Sequence, residues 1–270
     1  MHFRRSVYTI LLLTFTLLEA RDGLRILSYN IEGMKPGSHF ESRLEAIIRE
    51  LKDLDPDVMG FQEVAQDTSG KNMAYIIADS LSAYSGEDYH VYWQSTHVAY
   101  SSYLEGLAII SRLPVVQSGY YDLPPGVFQR KALWSLIDLN GNQLHFFTTH
   151  LSYRDEDNEL RIKQVQALKS FIETKTSSNN GLFILTGDFN CTPQTDPIAQ
   201  LADYSSVWTL ENPEQPGFTF PATHPEHKID YIFMDKDAKD RIRAVTLEFD
   251  NTYDGINYPS DHFGLMLVLE

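Results

Sequence analysis

The sequence predicts an α/β fold in which two β-sheets pack face to face and helices cover their outer faces. Three observations carry that prediction. Strand-like runs are many and amphipathic helical runs are few. Strand and helix alternate in the first part of the chain, as in a parallel crossover. Hairpins then interrupt the alternation, so neither a barrel of eight βα units nor a doubly wound dinucleotide fold fits. The chain contains no GxGxxG turn and no P-loop. Two packed sheets absorb this inventory, because each buries one face on the other and its second face under helices.

The elements follow in order. Leu24 to Asn30 (LRILSYN) reads as a strand, ended by a loop containing Gly33, Pro36 and Gly37. Ser38 with Glu41 has capping-box spacing, and Leu44, Ile47, Ile48 and Leu51 recur at i, i+3, i+4, i+7, which predicts an amphipathic helix to about Leu54. Asp55-Pro56 stops it, and Asp57 to Phe61 forms a short strand leading into Gln62 and Glu63. Met73, Ile76, Ile77 and Leu81 mark a second helix. The stretch from there through Tyr103, rich in Tyr and Ser with few charges, reads as a surface excursion. Glu105 to Arg112 and Lys131 to Leu139 read as strands with the loop YYDLPPGVFQR between them. Asn140-Gly141 is the sharpest hairpin signal, since a two-residue type I′ turn needs positive φ at both positions; Leu144 to His150 is the second arm. Asn158 to Glu173 is a helix with Val165, Leu168 and Ile172 on one face, followed by SSNNG as a loop and LFILTGDFN as a strand. Lys228 to Met234, Arg241 to Phe249 and Phe263 to Leu269 complete the strands.

Composition bounds the function. The 270 residues are 43% hydrophobic and 22% charged, which suits one soluble globular domain over residues 21–270. A net charge of −15 argues against a broad basic face for nucleic acid or anionic membrane, while a local basic cleft stays open. The single cysteine, Cys191, excludes an intramolecular disulfide and a Cys-rich zinc site. Residues 1–20 have a basic start at Arg4 and Arg5 and an apolar run from Val7 to Leu18, the layout of a secretory signal peptide. The run is shorter than the roughly 20 apolar residues of a comfortable span. Leu18-Glu19-Ala20 lacks a small residue at its first position, so an uncleaved anchor formed by residues 7–18 is the alternative. Either arrangement places the body outside the cytoplasm, as a secreted, periplasmic or membrane-anchored protein.

The chemistry-bearing residues fall where strands begin or end: Asn30, Glu63, His150, Asp188, Asn190, Asp230, Asp261 and His262. Taken singly each has an ordinary reading, as a turn residue, a helix-start carboxylate or a satisfied core histidine. Taken together, carboxylates and amides without thiolates offer oxygen donors suited to a hard cation such as Mg²⁺ or Mn²⁺. Two histidines beside them supply proton transfer or anion stabilisation, and the combination suits hydrolysis of a phosphate ester.

Six ordered segments carry a resemblance: SYNIEG (Ser28 to Gly33), FQEV (Phe61 to Val64), TTHL (Thr148 to Leu151), LTGDFN (Leu185 to Asn190), KIDYIF (Lys228 to Phe233) and SDHFGL (Ser260 to Leu265). They resemble the motifs of the endonuclease/exonuclease/phosphatase superfamily, which includes deoxyribonuclease I, AP endonucleases, neutral sphingomyelinases and inositol polyphosphate phosphatases. The resemblance implies a four-layer, deoxyribonuclease I-like sandwich. It implies that Glu63 is the principal magnesium ligand, with Asn30 beside it and Asp261 as a further carboxylate on the metal side. Asp188 resembles the aspartate that orients the attacking water, and Asn190 its neighbour that holds phosphate or nucleophile. His262 resembles the histidine that contacts the scissile phosphate or acts as base, oriented by Asp230. His150 matches the second histidine of the deoxyribonuclease and sphingomyelinase branches. The resemblance leaves open whether Asp188 or His262 takes the water proton.

The substrate expectation is a phosphoester: a lipid headgroup or other small phosphodiester, with a secreted deoxyribonuclease-like activity as the alternative and a noncatalytic binding protein as an alternative of another class. The Trp-x-Asp-Arg signature of phosphoinositide 5-phosphatases is replaced here by PEHKIDYIF, which disfavours that branch. Between Val64 and Leu104 the only Lys or Arg is Lys71, a poor endowment for a DNA-binding arm. Tyr84, Tyr89, Tyr92, Trp93, Tyr100 and Tyr103 are candidates for peripheral membrane contact. The loop with Tyr121 and Phe128, above Arg130 and Lys131, is a second candidate, with Tyr121 and Arg130 as substrate-binding residues. Tyrosines also stack on bases, so these rings do not separate lipid from nucleic acid. No protein partner is implied.

Overall fold

In the computed structural model, residues 23–177 and 181–270 are described. They form β1 (Leu24–Asn30), α1 (Phe40–Leu54), β2 (Val58–Gln66), α2 (Met73–Ser85), β3 (His90–Ala99), β4 (Tyr103–Ser111), β5 (Val115–Asp122), β6 (Lys131–Leu139) and β7 (Asn142–His150). The second half adds α3 (Asn158–Thr176), β8 (Leu182–Asp188), α4 (Asp196–Ala199), β9 (Tyr204–Ser206), α5 (Val207–Glu211), β10 (Asp230–Asp235), β11 (Ile242–Glu248) and β12 (Gly264–Leu269). The signal-peptide expectation lies outside the described residues. Among the described residues no helix is long and apolar enough to cross a membrane.

Two six-stranded sheets result, ordered β11-β12-β1-β2-β4-β3 and β5-β6-β7-β8-β10-β9. Each contains one parallel pair, β1 with β2 through α1 and β7 with β8 through α3. Every other neighbouring pair is antiparallel.

The period-two alternation sorts residues into layers. Ile26, Val58, Ile109, Phe146, Ile184 and Leu267 meet between the sheets. Their chain neighbours Leu27, Met59 and Ile110 turn outward beneath Leu44 and Ile47 of α1 and Ile77 of α2. On the other side Phe147 and Leu185 turn outward beneath Val165, Leu168 and Ile172 of α3. This is the helix–sheet–sheet–helix sandwich expected from the sequence. Towards the carboxyl ends of the parallel strands the space between the sheets turns polar, with Ser28, Gln62, Thr148 and Thr186 all buried. Gly60 lets the sheets close here, since a Cβ would stand 2.4 Å from Thr186 Oγ1. Gln62 Nε2 donates to Thr148 Oγ1 across the gap at 2.9 Å.

The hairpin at Asn140-Gly141 forms with φ of 57° and 93° between β6 and β7. Three local expectations are corrected. The Tyr-rich stretch is no surface excursion: its second half is β3, an edge strand paired with β4. An unexpected strand, β5, precedes the expected loop YYDLPPGVFQR and takes in its first three residues, forming the edge of the other sheet. Edge strands are covered unevenly, so β5 in particular lacks the apolar period that sequence reading depends on. The capping box is not made either. The residue before α1 is His39 at φ 53° with no side-chain cap, and Ser38 Oγ accepts instead from Arg43 Nη2 at 3.1 Å.

Candidate active site

Strand register assembles the site. Pairing of β7 and β8 sets His150 against Asp188, and pairing of β8 and β10 sets Asp230 against Asp188, so three side chains form a row across one sheet. Asn30 at the end of β1 faces this row from the other sheet. Its Nδ2 donates to Asp188 Oδ2 and to Glu63 Oε1, both at 3.0 Å. Glu63 reaches that position because β2 carries a bulge between Phe61 and Val64 and Glu63 itself adopts φ 56°. A left-handed residue without Asn, Asp or Gly chemistry costs on the order of 1–3 kcal/mol and is held by its surroundings.

The row is closely bonded. Asp188 Oδ2 lies 3.4 Å from His150 Nε2 and 3.8 Å from His262 Nε2. Asp188 Oδ1 accepts the Asn190 backbone N–H at 2.9 Å, and Asn190 Nδ2 donates to the Leu151 carbonyl at 3.2 Å. His262 Nδ1 meets Asp230 Oδ2 at 2.9 Å, while Asp230 Oδ1 is buried without a partner. Ser260 Oγ donates to the Asn30 carbonyl at 2.7 Å and accepts from the His262 N–H, which ties the β11–β12 loop to the end of β1.

Burial separates the two histidines. Burial, then the Arg130 charge, pushes His150 well below the usual histidine range, so it is neutral at neutral pH. Burial opposes charge on His262 as well, but Asp230, then Asp188 and Asp261, overcome it and raise the imidazole to about 10. Burial, then Asp230, raises Asp188 to about 6. Burial, then Glu105 and Asp261, raises Glu63.

Glu63, His150, Asp188, Asn190 and His262 line a cavity of about 530 Å³, with Asn30 and Asp230 behind them, that also takes in Asp261, Arg130, Glu105 and a group of aromatic side chains. Arg130 is 4% exposed, and its guanidinium makes no hydrogen bond or close ion pair with another described residue, although Glu63, Glu105 and Asp188 favour its charge from further off; it is a cation available to something that enters. Glu63, His150 and Asp188 present ligand atoms within 4.8 Å of one another, as do Asp188, Asp230 and His262. Because the second group is already engaged in the His262–Asp230 bond, the first, with Asn30 and Asp261 beside it, is the better cation position. The donor set fits a hard divalent ion: it is rich in oxygen, and its enclosed carboxylates outnumber the cations beside them.

The structure therefore brings together Asn30, Glu63, His150, Asp188, Asn190, Asp230, Asp261, His262 and Arg130. It does not bring Tyr121, which stacks on Phe171 of α3 at 5.5 Å on the outer face of the second sheet. Nor do the tyrosines before Tyr103 form a common surface: Tyr89 and Trp93 pack on the core beneath α1 and α2, Tyr92 packs on the core between the sheets, and Tyr103 is buried. Only Tyr84 and Tyr100 of that set are well exposed.

Arg43 is the supporting residue that sequence reading missed. Its guanidinium donates to the carbonyls of Ile31, Glu32, Gly33 and Pro259 at 2.7–3.1 Å, binding two site loops to α1. The signal was present, since Arg43 stands four residues before Ile47 on the apolar stripe, where a charge needs a buried partner. His97, Glu105, Phe128 and Tyr153 also line the cavity, and nothing in their local sequence marked Glu105 or Tyr153.

The sequence pattern of the Endonuclease/Exonuclease/phosphatase family matches residues 27–262, the whole span that carries the row and its facing side chains. The chain belongs to this family. Within it, the Drosophila melanogaster protein angel is 25% identical over 175 residues, 59% of this chain and 46% of the relative. Sphingomyelinase C of Listeria ivanovii is 24% identical over 169 residues, 53% and 50% of the two chains. The chain thus spans about half the length of these relatives. An endonuclease/exonuclease/phosphatase family protein from Leptotrichia buccalis superposes with a TM-score of 0.75 at 20% identity, covering 92% of this chain and 100% of the other. The human Nocturnin catalytic domain superposes with a TM-score of 0.73 at 21% identity, covering 93% and 95%. These likenesses establish the endonuclease/exonuclease/phosphatase fold over both sheets.

Proposed function

We propose that the protein is a divalent-metal-dependent phosphodiesterase. The observation that carries this reading is the opposed arrangement of Asn30 and Glu63 on one sheet and His150, Asp188 and Asp230 on the other, with an unpaired Arg130 in the same cavity. Glu63, Asp188 and Asn30, with Asp261 at the rim, would hold Mg²⁺ or Mn²⁺, which supplies neutralisation of phosphate charge. Arg130 takes a phosphate oxygen. Asp188, facing that position, is suited to orient a water there for attack. His262, held charged by Asp230, is suited to donate to the phosphate or the departing oxygen, and neutral His150 and the Asn190 amide complete the contacts. With the His262 charge matched by Asp230, Arg130 is, among the described residues of the cavity, the one remaining buried cation beside several carboxylates, which suits a singly charged diester better than a doubly charged monoester.

The likeness to sphingomyelinase C supports a lipid-headgroup diester as one substrate, and a deoxyribonuclease-like activity is the alternative. The first twenty residues support export; a secreted product beginning near Arg21, or a retained anchor, is distinguished by N-terminal sequencing. The deciding assay gives the full chain Mg²⁺, Mn²⁺ or EDTA with bis(p-nitrophenyl) phosphate, supercoiled plasmid and sphingomyelin vesicles. Metal-dependent, EDTA-sensitive hydrolysis that is lost in Glu63→Ala is the expected result. Undiminished function in Glu63→Ala would point to a noncatalytic binding protein.

A further inference from the structure

Three rings line one wall of the catalytic cavity, and the mechanism above uses none of them. His97 comes from β3, Phe128 from the β5–β6 loop and Tyr153 from the segment after β7, so tertiary structure alone brings them together. His97 and Phe128 stack with centroids 3.9 Å apart and planes 14° apart. Phe128 and Tyr153 follow at 6.0 Å and 22°. The first ring is fixed by its neighbours: His97 Nδ1 lies 3.0 Å from Thr96 Oγ1 and Nε2 lies 3.4 Å from Glu105 Oε1. Burial, then Arg130, lowers His97 to about 4, so the row is uncharged at neutral pH. The last ring is open, with Tyr153 49% exposed at the cavity mouth. Arg130, two residues beyond Phe128, lines the same cavity, and among the described residues its guanidinium makes no hydrogen bond or close ion pair.

We infer that the row His97–Phe128–Tyr153 is a subsite for a planar aromatic group esterified to the phosphate that Arg130 receives. The inference rests on the phosphoester reading and narrows its substrate class. Near-parallel rings present a flat stack that another flat ring extends, with the offset geometry aromatic groups prefer. A quaternary ammonium headgroup requires ring faces turned towards one point, whereas here His97 and Phe128 turn faces on each other. A flexible aliphatic group gains only contact area from such a wall. The subsite therefore favours a phosphoester carrying an aryl group or a nucleobase over one carrying choline or an alkyl chain.

The test compares binding with turnover in the full-chain protein with Mg²⁺. Phenyl phosphate, methyl phosphate and phosphocholine are titrated by calorimetry, and p-nitrophenyl phenyl phosphate and p-nitrophenyl methyl phosphate are compared as substrates with one leaving group. The expected result is phenyl phosphate bound roughly 10-fold more tightly than methyl phosphate, the scale of one stacked ring. That ratio falls towards unity in Phe128→Leu and in Tyr153→Leu, which keep apolar bulk and remove the ring, and it persists in Tyr121→Leu. Tyr153 is half-exposed, so its variant decides the matter even if Phe128→Leu does not fold. Equal affinities in the unaltered protein, a ratio retained in both ring variants, or tighter binding of phosphocholine overturns the subsite. A phenyl preference in binding with no turnover of either diester supports the subsite and overturns the phosphodiesterase reading.

Discussion

His262 lines the cavity and meets Asp230 behind it at 2.9 Å, both buried, and this contact makes the imidazole a cation despite its burial. The other oxygen of Asp230 has no partner, so the carboxylate serves His262 alone. Replacing it by Asn keeps the shape and removes the charge. Asp230→Asn is expected to lower kcat by about 10²–10⁴-fold while KM changes little, the pattern of a group that acts on the reacting atoms through its neighbour. Steady-state kinetics on bis(p-nitrophenyl) phosphate checks it, and a variant with unchanged kcat would remove Asp230 from the mechanism. These roles were legible as residue types at strand ends, because motif spacing survives in sequence. The charge states were not legible, since they arise from burial and from Asp230, Asp188 and Arg130, which lie tens of positions along the chain from the histidines they act on.

At the scale of elements, α1 both covers a sheet and braces the site. Arg43 donates to five carbonyls of two loops, those of Ile31, Glu32, Gly33, Ser38 and Pro259, and Arg43→Met fills similar volume while leaving those acceptors without it. With each orphaned group costing about 1–3 kcal/mol, a loss of several kcal/mol is expected in urea unfolding, and a change under 1 kcal/mol would show that water replaces the guanidinium. Two turns further, Glu50 accepts the Phe249 backbone N–H at 2.6 Å. Burial, then Glu248 and Asp250, raises it to about 7. A carboxyl raised on folding contributes stability that is fully present below its unfolded value, about 4.3, and is lost as pH rises through about 7. Glu50→Gln, which keeps the acceptor, is therefore expected to stabilise the protein by roughly 1 kcal/mol at about pH 8, after discounting for partial exposure, and to have the opposite or no effect near pH 4. Thermal melts at the two pH values distinguish this from a pH-independent packing effect. The helices and central strands were legible because each has one long-lived periodicity. The edge strands β3 and β5 were not, because uneven cover dilutes the alternation.

The molecule as a whole keeps several carboxylates close together at one end of the sandwich, where the two sheets come within reach of a single Asn side chain. That arrangement is strained in charge, and a divalent ion relieves it. Addition of Mg²⁺ or Mn²⁺ at about 100-fold over Kd should stabilise the folded chain by about 2.7 kcal/mol and raise Tm by roughly 5–11 °C for a domain of this size. EDTA should reverse the shift and Glu63→Ala should abolish it; a shift that persists in Glu63→Ala would place the ion elsewhere.

Local sequence determined the layers, the parallel crossover through α1, the Asn140-Gly141 hairpin and eight of the polar residues that meet in the cavity, because propensity, turn chemistry and motif spacing act over a few residues. Only tertiary structure decided which of them touch, which histidine carries charge, that Arg130 faces the cavity and Tyr121 does not, and that His97, Phe128 and Tyr153 form one wall. Those facts depend on strand register and on the separation of two sheets, which bring residues more than a hundred positions apart, such as Asn30 and Asp188, within one hydrogen bond.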